Sequence, residues 1–175
     1  MGTFLGVVPS GRAIEELAAF ERPAAEGIRW EPAERLHVTL RYTSVVHEEL
    51  VARLDAVASA VAARASAPEI SLGPATEVLG RDGTLVVPAR GAEPLALLVD
   101  ELLAELGLEG DLGPRDHPFY GHLTLARRRR GSVPAELVGR PLQTSFVPEA
   151  IHLIVSEPGP DGSVYDHRVR ARFSG

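Results

Sequence analysis

The chain has no cysteine and no long apolar run, and each of these absences excludes a class of protein; aromatic residues are also few. Without cysteine among its 175 residues, it can form neither disulfides nor thiolates, a composition typical of a cytoplasmic protein. No apolar stretch approaches the roughly 18 to 20 residues that cross a bilayer, so we expect no membrane partner. The segment Met1–Pro9 lacks the basic start of a signal peptide. The net charge of −6 argues against general electrostatic binding of nucleic acid, so any such ligand needs a local basic site.

Two short stretches repeat each other, and their histidines are 85 positions apart: His37-Val38-Thr39-Leu40 and His122-Leu123-Thr124-Leu125. In an extended strand, side chains alternate between faces, so the His and Thr of each stretch share one face. One copy alone is typical of an ordinary amphipathic strand. Two copies facing a cleft supply two titratable groups and two hydroxyl donors around one anionic centre, which suits acid–base cleavage of a phosphodiester.

The hydrophobic pattern predicts a mixed α+β chain in two similar halves, each containing one of these stretches. Apolar runs predict strands at residues 3–8, 28–31, 36–42, 70–72, 78–79, 84–87, 144–155 and 163–173, besides the second motif strand. Helices are predicted from three apolar stripes: Ile14, Leu17 and Ala18; Leu50, Leu54, Val57 and Val61; and Leu95, Leu98, Leu102 and Leu106, with Gly107 as a C-terminal cap. A short helix is predicted at 132–138, a hairpin turn at 81–83, a loop at 109–120 and a turn at 158–162.

The sequence resembles the two-histidine (2H) phosphoesterase superfamily, and within it the RNA 2′,3′-cyclic phosphodiesterases, also called 2′-5′ RNA ligases. The resemblance rests on four blocks spread over nearly the whole chain: the first strand at 4–9, residues 30–41, residues 118–127, and residues 156–162 with Tyr165. It implies one domain over residues 1–175 with two joined lobes. Each lobe is a pseudo-symmetric antiparallel sheet with outer helices, and the lobes flank a central cleft.

The resemblance also implies an activity and roles for the motif residues. The family opens a 2′,3′-cyclic phosphate at an RNA end to leave a 2′-phosphomonoester, without a metal ion or another cofactor, and reversible 2′-5′ RNA ligation is a second reaction that the resemblance suggests. Carried over, His37 is the proton donor and His122 the proton acceptor. The two motifs are locally alike, so the residues alone leave these two roles interchangeable.

The chemistry of the side chains is consistent with this activity. An unperturbed histidine titrates near pH 6.5, so one imidazole of a pair can be protonated while the other is free. Such a pair predicts a bell-shaped pH–rate profile. Thr39 and Thr124 can each donate a hydrogen bond to a non-bridging phosphate oxygen, although threonine is also common in strands for its β-propensity alone.

Four arginines follow the second motif and provide the local basic site. The family pattern has a phosphate-binding arginine where Arg127 stands, whereas strict alternation along the strand puts Arg128 on the face of His122 and Thr124. A β-bulge would turn Arg127 to that face. We favour Arg127 and keep Arg128 as the alternative, since either guanidinium suits phosphate. Arg129 and Arg130 we interpret as a solvated strand end.

After the first motif, Arg41-Tyr42-Thr43-Ser44 departs from the family pattern of a basic residue followed by Phe-Leu-Gly, which affects the expected substrate preference. Aromatic side chains that could stack on a base are few, namely Phe4, Tyr42, Phe119 and Tyr120. Trp30 is interpreted as a packing residue.

The other histidines form no metal-binding spacing, so we expect no metal: His47, His117, His152 and His167. Three functions stay open. The expected one is hydrolysis of RNA ends that carry a 2′,3′-cyclic phosphate, by a protein expected to be monomeric. The alternatives are the same chemistry on a small nucleotide or 2′-5′ oligonucleotide, and non-catalytic binding of phosphorylated RNA ends.

Overall fold

The computed structural model describes residues 2–44, 47–80, 83–108, 112, 115, 117–159 and 162–174. Its helices are α1 (Arg12–Ala19), α2 (Glu48–Arg64) and α3 (Glu93–Glu105), with short 3₁₀ turns at Ala33–Arg35 and Ala135–Leu137. Its strands are β1 (Gly2–Val7), β2 (Ile28–Trp30), β3 (Val38–Thr43), β4 (Ile70–Leu72), β5 (Glu77–Leu79), β6 (Thr84–Arg90), β7 (His122–Arg128), β8 (Thr144–Phe146), β9 (Ala150–Gly159) and β10 (Gly162–Arg172). In the described part of the chain, no helix is long and apolar enough to cross a membrane.

The strands form one curled sheet of ten strands in the order β10-β9-β1-β3-β7-β6-β4-β8, with β2 on β7 and β5 on β6. Every strand pair is antiparallel. The two motif strands β3 and β7 lie side by side at the middle and are joined through one residue pair, Val38 with Leu123. The predicted α+β class with antiparallel sheets is confirmed. At this pair the strands β10-β9-β1-β3, which combine the first and the last strands of the chain, meet the strands β7-β6-β4-β8.

A β-bulge interrupts each motif strand at the leucine of its motif. On β3 the register with β1 passes from Arg41 to Thr39 and skips Leu40. On β7 the register with β6 passes from Ala126 to Thr124 and skips Leu125. An extra residue shifts the alternation of faces by one, so the residue five positions after each histidine returns to the histidine face.

The helices cover the opposite face of the sheet, where their apolar stripes are buried. All four predicted α2 residues are buried, as are Leu95 and Leu102 of α3. The prediction was wrong for Leu106, Ile14 and Ala18, which are exposed. Helix α3 ends at Glu105, before Leu106, and its buried face is completed by Val99 and Leu103. Gly107 has a φ of 64°, which the predicted C-terminal cap requires.

Two other predicted elements differ from the structure. The strand predicted at 144–155 is divided into β8 and β9, and Pro148 lies between them, where it cannot donate a main-chain hydrogen bond. The helix predicted at 132–138 is only a 3₁₀ turn. Residues 81–82 of the predicted hairpin turn, 160–161 of the predicted C-terminal turn and much of the 109–120 loop lie outside the described residues.

Gly6 on β1 lies against the first motif strand, where a side chain does not fit. A Cβ atom at this position would lie 2.8 Å from the Val38 carbonyl oxygen. We therefore expect Gly6→Ala to lower the free energy of unfolding by about 1–3 kcal/mol, because overpacking forces backbone shifts. Urea unfolding measures this change, and Ser71→Ala, on the exposed side of β4, serves as the control. An unchanged midpoint for Gly6→Ala would contradict the close approach of β1 and β3.

His152 on β9 is a buried histidine outside the motifs. Its side chain is 5% exposed, and its Nδ1 lies 3.2 Å from Nδ1 of His167 on β10. Burial lowers the pKa of His152 to about 4, and the positive charges of His167 and Arg170 act in the same direction. The folded protein therefore holds this imidazole neutral at pH values where an unfolded chain protonates it.

We expect the stability of the protein to fall as the pH drops from about 6.5 towards 4, because unfolded His152 takes up a proton in this range and folded His152 does not. The His152→Gln variant should show a flatter dependence. Urea unfolding at several pH values measures both slopes. Equal slopes for the variant and the parent would show that His152 does not contribute.

Candidate active site

The four motif side chains come together at the junction of β3 and β7. His37 directly precedes β3, and His122 is the first residue of β7. In an antiparallel ladder, counting one residue either way from the pair Val38–Leu123 puts His37 across from Thr124 and Thr39 across from His122. Directly opposed side chains lie about 4.5–5.5 Å apart at Cβ. The structure thus brings the predicted histidines and threonines to one face of the sheet.

Both imidazoles are held in the same way by the main chain. Nδ1 of His37 lies 2.6 Å from the carbonyl oxygen of Arg35, and Nδ1 of His122 lies 2.8 Å from that of Tyr120. A carbonyl oxygen only accepts, so each Nδ1 carries a proton and donates it. In the neutral ring, Nε2 is then the unprotonated atom. Each histidine therefore has Nε2 available to exchange a proton with a ligand.

The surroundings of His37 favour its neutral form. Its ring stacks on Phe4 at a centroid distance of 4.5 Å and meets the edge of Tyr165 at 5.4 Å. Burial lowers the pKa of His37 to about 4; the charges of Arg127 and His122 lower it further, while the hydrogen bond to Arg35 and the charge of Glu31 oppose the shift.

His122 has a different environment. Its ring stacks on Tyr120 at a centroid distance of 6.1 Å, and the Tyr120 hydroxyl donates a hydrogen bond to Glu77. This hydrogen bond is the main cause that raises the pKa of Tyr120 to about 12, so the phenol stays protonated. Two motifs of the same sequence pattern therefore present imidazoles in unlike surroundings.

Arg127 is part of an ion cluster beside His37. Its Nε lies 2.8 Å from Oε1 of Glu31, a carboxylate that is only 3% exposed. Arg29 and Arg35 lie 3.7 Å and 3.6 Å from the same carboxylate. Arg127 also forms a hydrogen bond with Tyr165, whose pKa is raised, chiefly by burial. Three guanidinium groups around one carboxylate leave a net positive charge here, which suits a phosphate.

The bulge at Leu125 gives different positions to the two arginines that are considered as phosphate ligands. Arg127, five residues after His122, shares the histidine face and retains a 45% exposed side chain. Arg128 instead donates from Nη1 to the carbonyl oxygen of Gly131 at 2.6 Å, at the far end of β7. The structure brings Arg127 to the candidate site and does not bring Arg128 there.

The aromatic residues predicted to meet a base divide into three cases. Phe4 is 4% exposed beneath the His37 ring, so its prediction as a base-stacking residue is corrected: its ring supports His37 instead. Tyr42 is 54% exposed and, five residues after His37, occupies the position that corresponds to Arg127. Phe119 is partly buried, has the guanidinium of Arg115 over its ring, and lines a cavity of about 520 Å³ with Tyr120.

Glu31 and Tyr165 are the site residues whose roles the motifs did not reveal. Glu31 follows β2, six residues before His37, and meets Arg127 only through folding, whereas Tyr165 on β10 is distant in the chain from both motifs. Tyr165 was noticed as part of a family block but was given no role, and the alternation of charges at Arg29, Glu31 and Arg35 was the only local signal for the cluster. Among the described residues, no group of three or more His, Cys, Asp or Glu side chains is arranged to hold a metal ion.

This site and the antiparallel α+β sheet define the class of two-histidine phosphoesterases, and solved structures share the fold. TT0787 of Thermus thermophilus superposes with a TM-score of 0.82 at 25% identity, over 100% of this chain and 99% of that chain. E. coli LigT complexed with 3′-AMP gives 0.71 at 20% identity, over 99% and 98%. The MHV ns2 PDE domain gives 0.59 at 15% identity, over 84% and 88%.

The sequence profile of the 2′-5′ RNA ligase superfamily matches residues 8–159, which is most of the chain. The chain belongs to this superfamily, and the family predicted from its residues is confirmed. A search among curated proteins found no match. Membership supports a phosphodiesterase activity, which is consistent with paired imidazoles beside a cationic cluster.

The environment of His37 gives a measurable expectation. In the free protein the His37 imidazole should titrate near pH 4, well below the ordinary histidine value, because its ring is buried and faces Arg127. Saturating inorganic phosphate should raise this pKa by at least about one unit, because a nearby anion favours the imidazolium. NMR titration of the ring protons, assigned with His37→Gln, measures both values. A free-protein value near 6.5 would contradict the buried environment, and no rise with phosphate would exclude His37 as the group that is protonated in the complex.

Proposed function

We propose that this protein hydrolyses 2′,3′-cyclic phosphate ends of RNA to 2′-phosphomonoesters, without a metal ion. The observation that carries the proposal is the matched anchoring of His37 and His122, each of which has Nδ1–H bound to a carbonyl and Nε2 available. One imidazole acting as an acid and the other as a base meets the needs of a concerted displacement at phosphorus. The net positive cluster around Arg127 supports an anionic substrate between them.

The reaction consumes one water and breaks one P–O bond. Nε2 of His122 accepts a proton from the water as its oxygen bonds to phosphorus. The bond from phosphorus to the 3′ oxygen breaks, and Nε2 of His37 donates a proton to that oxygen, which becomes a hydroxyl. The phosphate remains on the 2′ oxygen. The same steps with a 5′-hydroxyl in place of water, which also release the 3′ oxygen as a hydroxyl, give 2′-5′ ligation.

Neighbouring side chains stabilise the charge that develops on phosphorus. Thr39 and Thr124 lie across the ladder from His122 and His37 and can donate to the non-bridging oxygens. Arg127, whose Nε is held by Glu31, can contact the same oxygens with its remaining donors. Tyr42 and the cavity beside Phe119 are the surfaces that we assign to the nucleoside. In this proposal residues 1–175 act as one domain, because both motifs contribute to the same site.

The assignment of His37 as the acid depends on the substrate. Its low pKa keeps it neutral in the free protein at neutral pH. A bound cyclic phosphate carries a negative charge close to Nε2 and therefore favours the imidazolium, so the substrate itself prepares the proton donor. His122 is less enclosed by aromatic rings and is available as the base.

The proposal predicts that His37→Ala and His122→Ala each lower kcat by at least about 10²-fold with the fold intact, because a general acid or base contributes about that much. The substrate is a short RNA that ends in a 2′,3′-cyclic phosphate, assayed with a chelator present, and the product is scored as 2′- or 3′-phosphate. A bell-shaped pH profile is expected.

The control is His47→Asn, which removes an imidazole at the start of α2 while retaining a side-chain cap. It should keep the parent rate. No turnover by the parent protein would exclude the enzyme and favour a binding function. Loss of turnover on chelation would contradict a metal-independent reaction, and a 3′-phosphate product would contradict the assigned leaving group.

A further inference from the structure

The main chain of Glu31 is held by two hydrogen bonds, independently of the contacts that its carboxylate makes. Its N–H donates to the carbonyl oxygen of Leu125, the bulge residue of β7, at 2.8 Å. Its own carbonyl oxygen accepts from Nη1 of Arg22 at 2.9 Å. The side chain is almost fully buried, so its surroundings also limit its movement. A carboxylate held in this way can fix the positions of the guanidinium groups that bind it.

The two oxygens of Glu31 connect the two motifs. Oε1 lies 2.8 Å from Nε of Arg127, the arginine that follows the second motif. Oε2 lies 3.6 Å from Nε of Arg35, whose carbonyl oxygen accepts the proton of His37 Nδ1 at 2.6 Å. One buried carboxylate thus touches the phosphate-binding arginine directly and the histidine of the first motif through one residue.

Stability alone gives a weak reason for this cluster, because buried ion pairs are often no more stabilising than apolar side chains of similar size. Positioning gives a stronger reason. An arginine held at Nε has a fixed guanidinium plane, and its Nη donors can then meet two phosphate oxygens at once. The negative charge of Glu31 also offsets the effect of Arg127 on the His37 imidazolium.

We infer that Glu31 is a positioning residue that aligns Arg127 with the substrate phosphate and keeps His37 able to carry a proton beside that arginine. The inference rests on the proposed function. Glu31 does not touch the reacting atoms and acts through Arg127 and Arg35.

The test compares Glu31→Gln, Arg127→Met and the double variant. Glu31→Gln should raise KM for a cyclic-phosphate RNA about tenfold or more, since small misplacement of a binding group has effects of this size. In the Arg127→Met background the same change should alter KM less than about twofold, because the group it positions is gone. The alkaline limb of the kcat–pH profile should move to lower pH in both backgrounds, because removing the charge of Glu31 lowers the pKa of His37, which must be protonated in the complex.

The matched control is Glu21→Gln, which removes the carboxylate of an exposed ion pair with Arg140. It should leave KM and the pH profile unchanged. A folded Glu31→Gln protein with the KM and pH profile of the parent would overturn the inference, as would an equal rise in KM with and without Arg127, which indicates a general structural role.

Two further measurements keep the inference testable. If Glu31→Gln does not fold, Glu31→Asp retains the charge and withdraws it from Arg127, so KM should rise with the pH limb unchanged; parent values for both would overturn the inference. If the parent protein does not hydrolyse the substrate, the proposed function fails. The inference is then tested by measuring the affinity for inorganic phosphate with calorimetry. Glu31→Gln should weaken this affinity only when Arg127 is present.

Discussion

The pairing of Val38 with Leu123 is the contact on which the candidate site depends. Both residues are fully buried, and each stands between the His and the Thr of its motif. Because the strands are antiparallel, pairing at this central position puts the histidine of one motif across from the threonine of the other. A shift of one residue would turn one motif towards the helices. The register at this pair therefore fixes which groups can act on one ligand.

The two motif strands share their geometry and differ in what surrounds them. Each motif has its bulge at its final leucine, and the imidazole of each donates a hydrogen bond to the carbonyl oxygen two residues earlier. Around His37 stand Phe4, Tyr165 and a cationic cluster, whereas His122 stacks on a single phenol. Proton affinity in such a pair is a property of the environment, so a nearly symmetric scaffold can separate an acid from a base.

Much of the fold could be predicted from the sequence, because its signals are local. The α2 stripe, the cap at Gly107 and the order of the strands follow from apolar spacing and turn residues. The motif histidines and threonines could be predicted because their spacing matches the period of a strand and occurs twice. Errors arose where a local pattern continued beyond its element, as at Leu106.

The ion cluster could not be predicted in the same way. Glu31 is close to His37 in the chain, but it forms the cluster with Arg127 of the second motif, and Tyr165 comes from β10, so no local spacing rule connects the members of the cluster. The bulge at Leu125 could be considered only as a condition under which Arg127 would face the cleft, because a bulge depends on the partner strand. The burial of Phe4 likewise depends on its neighbours, so its aromatic character alone suggested the wrong contact.

The use of main-chain carbonyls to orient both imidazoles has a consequence for how this protein can change over evolutionary time. Residues 35 and 120 contribute their backbone oxygens, which every amino acid possesses, so a substitution at either position retains the hydrogen-bond acceptor that orients the imidazole. The side chain of residue 35 has a second task, its contact with Glu31, whereas the Tyr120 side chain is 46% exposed. A substitution at residue 120 can therefore change the exposed surface beside His122 while the carbonyl that orients its imidazole is retained.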